Sequence, residues 1–315
     1  MLAIKAGPRK GRIARRPRVL PRIASRAASW ISGCGCVARS AAEYGRTIRL
    51  RWGRVEAIGY GAVQVNAAKQ KMLAGRPAYG YSLGLGSALA AELLARCGID
   101  FLLLETQHGS WGHDSAFAAL MGMAGGTAAP MARVAKNEYF LIGKLLDQGA
   151  MGIVVPMVDT PEQAKAAVDP CRLPPRGTRS WGWGRARAYG DDYPDWIDDQ
   201  LFVAVQLESI RAVENAEAIM ATPGIDGCWA GPADLALSMG IDPRRAGSED
   251  RHARALDQIL AACRNTGKIA GLACPTPEDA RRRGDQGWQF LTAGGDAGFM
   301  LGGARAGLKV LGLQS

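Results

Sequence analysis

From Ala78 onward, short runs of consecutive apolar residues alternate with stretches of helical spacing, and this alternation restricts the chain to few folds. The runs are Ala78–Leu83, Phe101–Leu104, Ala129–Val134, Gly152–Pro156, Phe202–Leu207, Gly227–Ala230, Ile269–Leu272 and Phe290–Thr292. Most are continuously apolar, as parallel strands buried on both faces must be. The spacing between them predicts helices over Ala88–Arg96, Ser115–Met123, Glu138–Gln148, Pro161–Val168, Arg211–Met220, Glu249–Thr266 and Pro277–Gln286, with a last one near Gly298–Leu311. Thr160-Pro161-Glu162 and Thr276-Pro277-Glu278 each give a capping residue followed by proline in the first turn. Gly98, Gly149 and Gly287 stand where helices should stop. Eight strand–helix units over roughly 240 residues predict an α/β chain folded as a (β/α)8 TIM barrel. A doubly wound sheet would need fewer strands, and Gly84-Leu85-Gly86 lacks the third glycine of a dinucleotide loop.

Charge separates the barrel from what precedes it. Residues 1–62 hold 14 of the 39 basic residues but 2 of the 29 acidic ones, a net charge of +12. The remaining chain carries 25 basic and 27 acidic residues, so the overall +10 belongs to the N-terminal segment. The expected domains are therefore a basic extension of low order over 1–62 and a barrel over 63–315. The extension reads as a disordered arm, a targeting peptide or a start upstream of the native one. The abrupt onset of patterning near Val63–Met72 favours the last. It lacks the aromatic interleaving of a single-strand binder and any DNA-binding motif, so nucleic acid is not an expected partner. No apolar run reaches the length of about 18 residues that spans a bilayer, so no membrane is expected either. The seven cysteines are odd in number and scattered, which reads as free thiols in a reducing cytoplasm.

In such a barrel, function gathers at the C-terminal ends of the strands. Those ends supply Glu105 and His108 after the second run, Arg133 at the close of the third, Gln206 and Glu208 at the fifth, and Gly231-Pro232-Ala233-Asp234 after the sixth. Glu208 and Asp234 are two hard oxygen donors on adjacent units, suited to a divalent cation such as Mg²⁺ or Mn²⁺. Solvated loop acids or helix caps would look the same. An unperturbed imidazole titrates near neutrality, so His108 suits a general base, with Glu105 placed to orient its ring. A loop histidine with a structural hydrogen bond is the alternative. Arg133 at the end of an apolar strand needs an anion, either a substrate or an internal acid. His113 and His252 read as surface residues. The long segment from Pro174 to Tyr193, with Arg179, Arg185, Arg187 and Tyr189, fits a substrate entrance or an oligomer contact.

These residues stand in motifs that resemble the HpcH/HpaI aldolase/citrate lyase family, and within it the metal-dependent 2-keto-3-deoxy acid aldolases. The resemblance runs from about Gly80 to Leu301. It is carried by Leu104-Glu105-Thr106-Gln107-His108-Gly109, Leu145-Leu146-Asp147-Gln148-Gly149-Ala150, Val155-Pro156-Met157-Val158-Asp159-Thr160, Pro174-Pro175-Arg176-Gly177 with Arg179, Gln206-Leu207-Glu208, and Gly231-Pro232-Ala233-Asp234-Leu235 with Ser238-Met239-Gly240. The resemblance implies that Glu208 and Asp234 bind Mg²⁺, Mn²⁺ or Co²⁺. It implies that Gln206 and Gly231, Pro232 and Ala233 hold a 2-oxo acid, that Arg133 stabilises its enolate, and that His108 is the base of a His–acid dyad. Asp147 matches an acid that reaches a neighbouring subunit's site, so a homo-oligomer, often a hexamer, is implied. The family usually has Asp where Glu105 stands, and the extra methylene changes the reach to His108.

The expected activity is reversible cleavage of a 4-hydroxy-2-oxo acid to pyruvate, or a similar 2-oxo acid, and an aldehyde. A lyase acting on CoA esters, as in the citrate-lyase branch, is the nearest alternative, because the arginines of 176–187 could meet CoA phosphates. A catalytically impaired sugar-acid-binding homologue, or a polyanion binder using 1–62, lies outside catalysis.

Overall fold

The structure, a computed structural model, describes residues 65–313, so the expectations for 1–62 lie outside the described residues. Eight parallel strands close into a barrel: β1 (Ala78–Leu83), β2 (Phe101–Glu105), β3 (Ala129–Arg133), β4 (Gly152–Val155), β5 (Phe202–Leu207), β6 (Gly227–Ala230), β7 (Gly271–Cys274) and β8 (Phe290–Gly295). The helices are α1 (Ala67–Leu73), α2 (Ala88–Leu94), α3 (His113–Met123), α4 (Tyr139–Asp147), α5 (Pro161–Val168), α6 (Tyr193–Gln200), α7 (Ile210–Glu214), α8 (Ala216–Met220), α9 (Pro232–Ser238), α10 (Asp250–Asn265), α11 (Pro277–Asp285) and α12 (Asp296–Val310). The TIM barrel expected from the alternation is the fold. No helix among the described residues is long and apolar enough to cross a membrane. Cys97, Cys171, Cys228, Cys263 and Cys274 are free thiols.

The strands alternate their side chains between the barrel interior and the surrounding helices. Phe101 and Leu103, Ala129 and Met131, Phe202 and Ala204, Val154, Trp229 and Phe290 point inward and form one core. Leu102, Leu104, Ile153, Val155, Val203, Val205 and Leu291 point outward into the larger core beneath the helices. Phe290 packs against Phe101 and Phe202 at ring-centroid distances of 4.5 and 4.9 Å. Ala68 and Met72 of α1 join this inner core. The helix therefore closes the N-terminal end of the barrel, a role that its short sequence does not announce. Asn66 caps it and also reaches Met151 O at 2.8 Å.

The elements depart from the sequence expectation in four places. The seventh strand begins at Gly271, and Ile269 makes only an isolated bridge to Gly227. The helix expected over Arg211–Met220 breaks at Asn215, whose Nδ2 donates to Asp159 O at 2.9 Å. Helix α6 starts at the last residue of the long Pro174–Tyr193 segment, where no helix is expected, with Tyr193 and Ile197 buried. Helix α9 begins directly after Gly231, so Asp234 sits in the first turn of a helix and not at a strand end.

Candidate active site

The inward column of a strand ends in chemistry at its C-terminal end. On β2 it reads Phe101, Leu103, Glu105; on β3 Ala129, Met131, Arg133; on β5 Phe202, Ala204, Gln206, with Glu208 the next inward position. Glu105 and Arg133 are register partners on adjacent strands, which brings two charges together that burial would otherwise penalise. They form an ion pair between Oε2 and Nη2. Arg133 Nη1 donates to Gln206 Oε1 at 3.0 Å, and Gln206 Nε2 donates to Glu208 Oε2 at 2.5 Å. The Arg133 guanidinium lies 5.2 Å from the Trp229 ring centroid, a cation–π contact. All four polar residues are less than 9% exposed. The result is a buried relay, Glu105–Arg133–Gln206–Glu208, across the barrel mouth. One group in it lacks a partner: Arg133 Nε is buried and unpaired.

Glu208 also accepts the Met157 N–H at 2.8 Å through Oε1. Met157 has φ of 57°, the left-handed region that a side chain rarely adopts, and is the one non-glycine among the described residues to do so. The strained backbone aims its N–H at the carboxylate. Burial pushes the Glu208 carboxyl up to about 7, and the negative Asp234 adds to the shift against the Met157 N–H. Neither carboxylate pairs with a lysine or arginine among the described residues. Gly231 is required between them, since a Cβ there would lie 2.7 Å from both Gln206 Nε2 and Glu208 Oε2. Pro232, at the first helical position, contributes no N–H. Ala233 and Asp234 present N–H groups that a first turn leaves without helical partners.

Two carboxylates, adjacent and short of positive charge, make a donor set that fits a hard divalent cation. Among the described residues no cluster of three or more acidic, His or Cys side chains could hold a metal. A cation here would therefore take its other ligands from water and substrate, as Mg²⁺ commonly does.

The acid–base half differs from the expectation. Glu105 Oε1 accepts backbone N–H groups of Gln107 and His108 at 2.9 and 3.2 Å, while Oε2 holds Arg133. Both oxygens are engaged, so Glu105 holds the His108 backbone and leaves the ring alone. The His108 side chain is exposed. Asp147 closes α4, pairs with Arg179 at 3.0 Å and has no contact with the Glu208 group within one chain. His252, read as a surface residue, is 4% exposed and bonds Pro232 O through Nε2 at 2.9 Å. Its place in a polar helix concealed that it faces the site loop. His113 is exposed, as expected. Of the arginines of the long segment, Arg179 is buried and binds Asp147 and Tyr193, Arg185 reaches Gln148 O and stacks near Tyr189, and Arg176 and Arg187 are exposed, Arg176 pairing with Asp199 at the surface. Trp229 and Met157 were not singled out by sequence. Parity along β6 could have found the first, whereas the motif that contains Met157 carries no sign of its backbone conformation.

The HpcH/HpaI aldolase/citrate lyase family profile matches residues 80–301. A hydroxypyruvate/pyruvate aldolase of Chromohalobacter salexigens is 38% identical over 72% of this chain and 91% of that protein. A 4-hydroxy-2-oxo-heptane-1,7-dioate aldolase of Klebsiella pneumoniae is 35% identical over 76% of this chain and 92% of that protein. Among solved structures, a family member from Burkholderia cenocepacia superposes with a TM-score of 0.72 at 33% identity, covering 78% of this chain and 99% of that one. With a closed eight-stranded barrel, charges converging at its C-terminal mouth and these relatives, the chain belongs to the HpcH/HpaI aldolase/citrate lyase family and is a carbon–carbon lyase of its aldolase branch.

Proposed function

We propose that the protein cleaves a 4-hydroxy-2-oxo acid reversibly to pyruvate and an aldehyde, with a divalent metal (Mg²⁺, Mn²⁺ or Co²⁺) held by Glu208 and Asp234. The observation that carries the reading is the pair of neighbouring carboxylates without a basic partner, beside a buried arginine with an unpaired N–H. When bound, the cation supplies Lewis acidity toward the oxygens of the 2-oxo acid.

The protein's own groups do the rest. The N–H groups of Ala233 and Asp234 face the substrate carboxylate, and the Gln206 amide, fixed between Arg133 and Glu208, orients the keto end. His108 takes the proton from the 4-hydroxyl. The O–H electrons form the aldehyde carbonyl, the C3–C4 bond breaks, and its electron pair passes to C3 and the 2-oxygen as an enolate. Arg133 meets this developing negative charge with the free Nε–H. Proton return to C3 yields pyruvate. Glu105 holds Arg133 and the His108 backbone in place for these steps.

We also propose that the chain works as a homo-oligomer of copies of itself. Residues 298–313 are exposed throughout, including Phe299, Met300, Leu301, Val310 and Leu311. Leu89 and Leu93 of α2 and Met121 of α3 are exposed as well. Apolar surface on this scale marks an interface, and half-exposed Asp147 fits a contribution to a neighbour. The location is proposed as cytoplasmic, since the thiols are free.

The test is pyruvate release from a panel of 4-hydroxy-2-oxo acids, with Mg²⁺, Mn²⁺ or Co²⁺ added to metal-stripped protein. Activity is expected to vanish with EDTA and with Glu208→Ala. Cleavage that survives both would refute the metal role, and no cleavage of any panel member would refute the substrate class.

A further inference from the structure

The His108 ring has no hydrogen-bond partner among the described residues, so its position depends on its backbone. Where that backbone is anchored becomes the question. Its inner end is held by Glu105: His108 N–H donates to Oε1 and Gly109 N–H to the Glu105 carbonyl at 3.1 Å. The outer end leans on a second loop. Ser110 N–H donates to Gly84 O at 2.8 Å, and Trp111 Nε1 donates to Leu83 O at 2.6 Å. The two loops abut with no side chain between them. Gly86 has φ of +72°, and a Cβ there would lie 2.4 Å from Ser110 O.

The loop after β1 is fixed in turn by one buried carboxylate. Asp296, the first residue of α12, is 6% exposed. Its Oδ1 accepts the Gly84 N–H at 2.9 Å and the Ala297 N–H at 2.9 Å, and its Oδ2 accepts the Leu85 N–H at 3.0 Å. No basic side chain among the described residues pairs with it. Three N–H donors and the positive end of the 15-residue α12 hold its charge. A buried acid without a cation is costly unless hydrogen bonds offset its lost hydration. Here they join residues more than 200 positions apart and reach the histidine loop through Gly84.

We propose that Asp296 is a positioning residue for His108, acting from the start of α12 through the Gly84–Leu85 backbone. This rests on His108 being the base of the aldol cleavage. The test is a double-mutant cycle in the full-length, metal-loaded protein: Asp296→Ala, His108→Ala and both together, each assayed for kcat and KM. A misplaced base lowers turnover more than binding, so Asp296→Ala should lower kcat by about tenfold or more with KM within about threefold. In the His108→Ala background the same change should alter kcat by less than about twofold, because groups acting through one another are not additive. An equal fall in both backgrounds, or a normal kcat for Asp296→Ala beside a slow His108→Ala, overturns the proposal and leaves the base assignment standing. A His108→Ala enzyme as fast as the wild type overturns the base assignment and this proposal with it. If Asp296→Ala does not fold, Asp296→Asn, which keeps one acceptor, goes through the same cycle under the same criteria.

Discussion

Glu105 and Arg133 show how one buried pair can serve two purposes. Each neutralises the other inside the barrel, and each fixes a further group, the His108 backbone and the Gln206 amide. Removing one partner leaves the other charged and buried. Glu105→Gln should therefore cost about 3–5 kcal/mol of stability, read by guanidinium chloride denaturation, and Glu105→Gln with Arg133→Met should recover much of it. Gly231 makes a different prediction. A Cβ there would press on Gln206 Nε2, Glu208 Oε2 and the Glu208 Cβ. Gly231→Ala should keep the fold by circular dichroism yet weaken metal binding by about 10–100-fold in calorimetric titration, the usual cost of disturbing a ligand's support.

At the scale of elements, two helices that the apolar pattern did not mark do important work. Helix α9 carries Asp234 to Glu208, and α1 plugs the barrel floor. Each is only seven residues long, and packing against the barrel supplies what propensity does not. The plug makes a paired prediction. Met72 is 1% exposed and Leu73 60%. Met72→Ala should cost about 2–5 kcal/mol in urea denaturation, whereas Leu73→Ala should stay within about 0.5 kcal/mol.

For the whole molecule, α12 sets the expectation. A 15-residue helix that touches its own barrel only near its start is marginal in water without a partner surface. A chain ending at Ala297 should keep the barrel but run as a monomer in size-exclusion chromatography with light scattering, while the full chain runs as an oligomer. A monomeric full chain would end the oligomer proposal.

The sequence by itself determined the barrel, because eight short runs, most of them continuously apolar, can be buried on both faces only as parallel strands under helices. It also determined most of the site's inventory, because position at a strand's C-terminal end can be counted along the chain. What tertiary structure alone decided is which of those groups meet. Register put Glu105 beside Arg133 and so took from His108 the acid expected to orient its ring. Closure of β8 onto β1 brought Asp296 to Gly84 across more than 200 residues. A strained turn at Met157 aimed an N–H at Glu208. Each of these depends on through-space distances between distant segments, and period and spacing carry no record of such distances. The alternation that restricted the chain to a barrel thus fixed the frame of the site, and ring closure fixed its contacts.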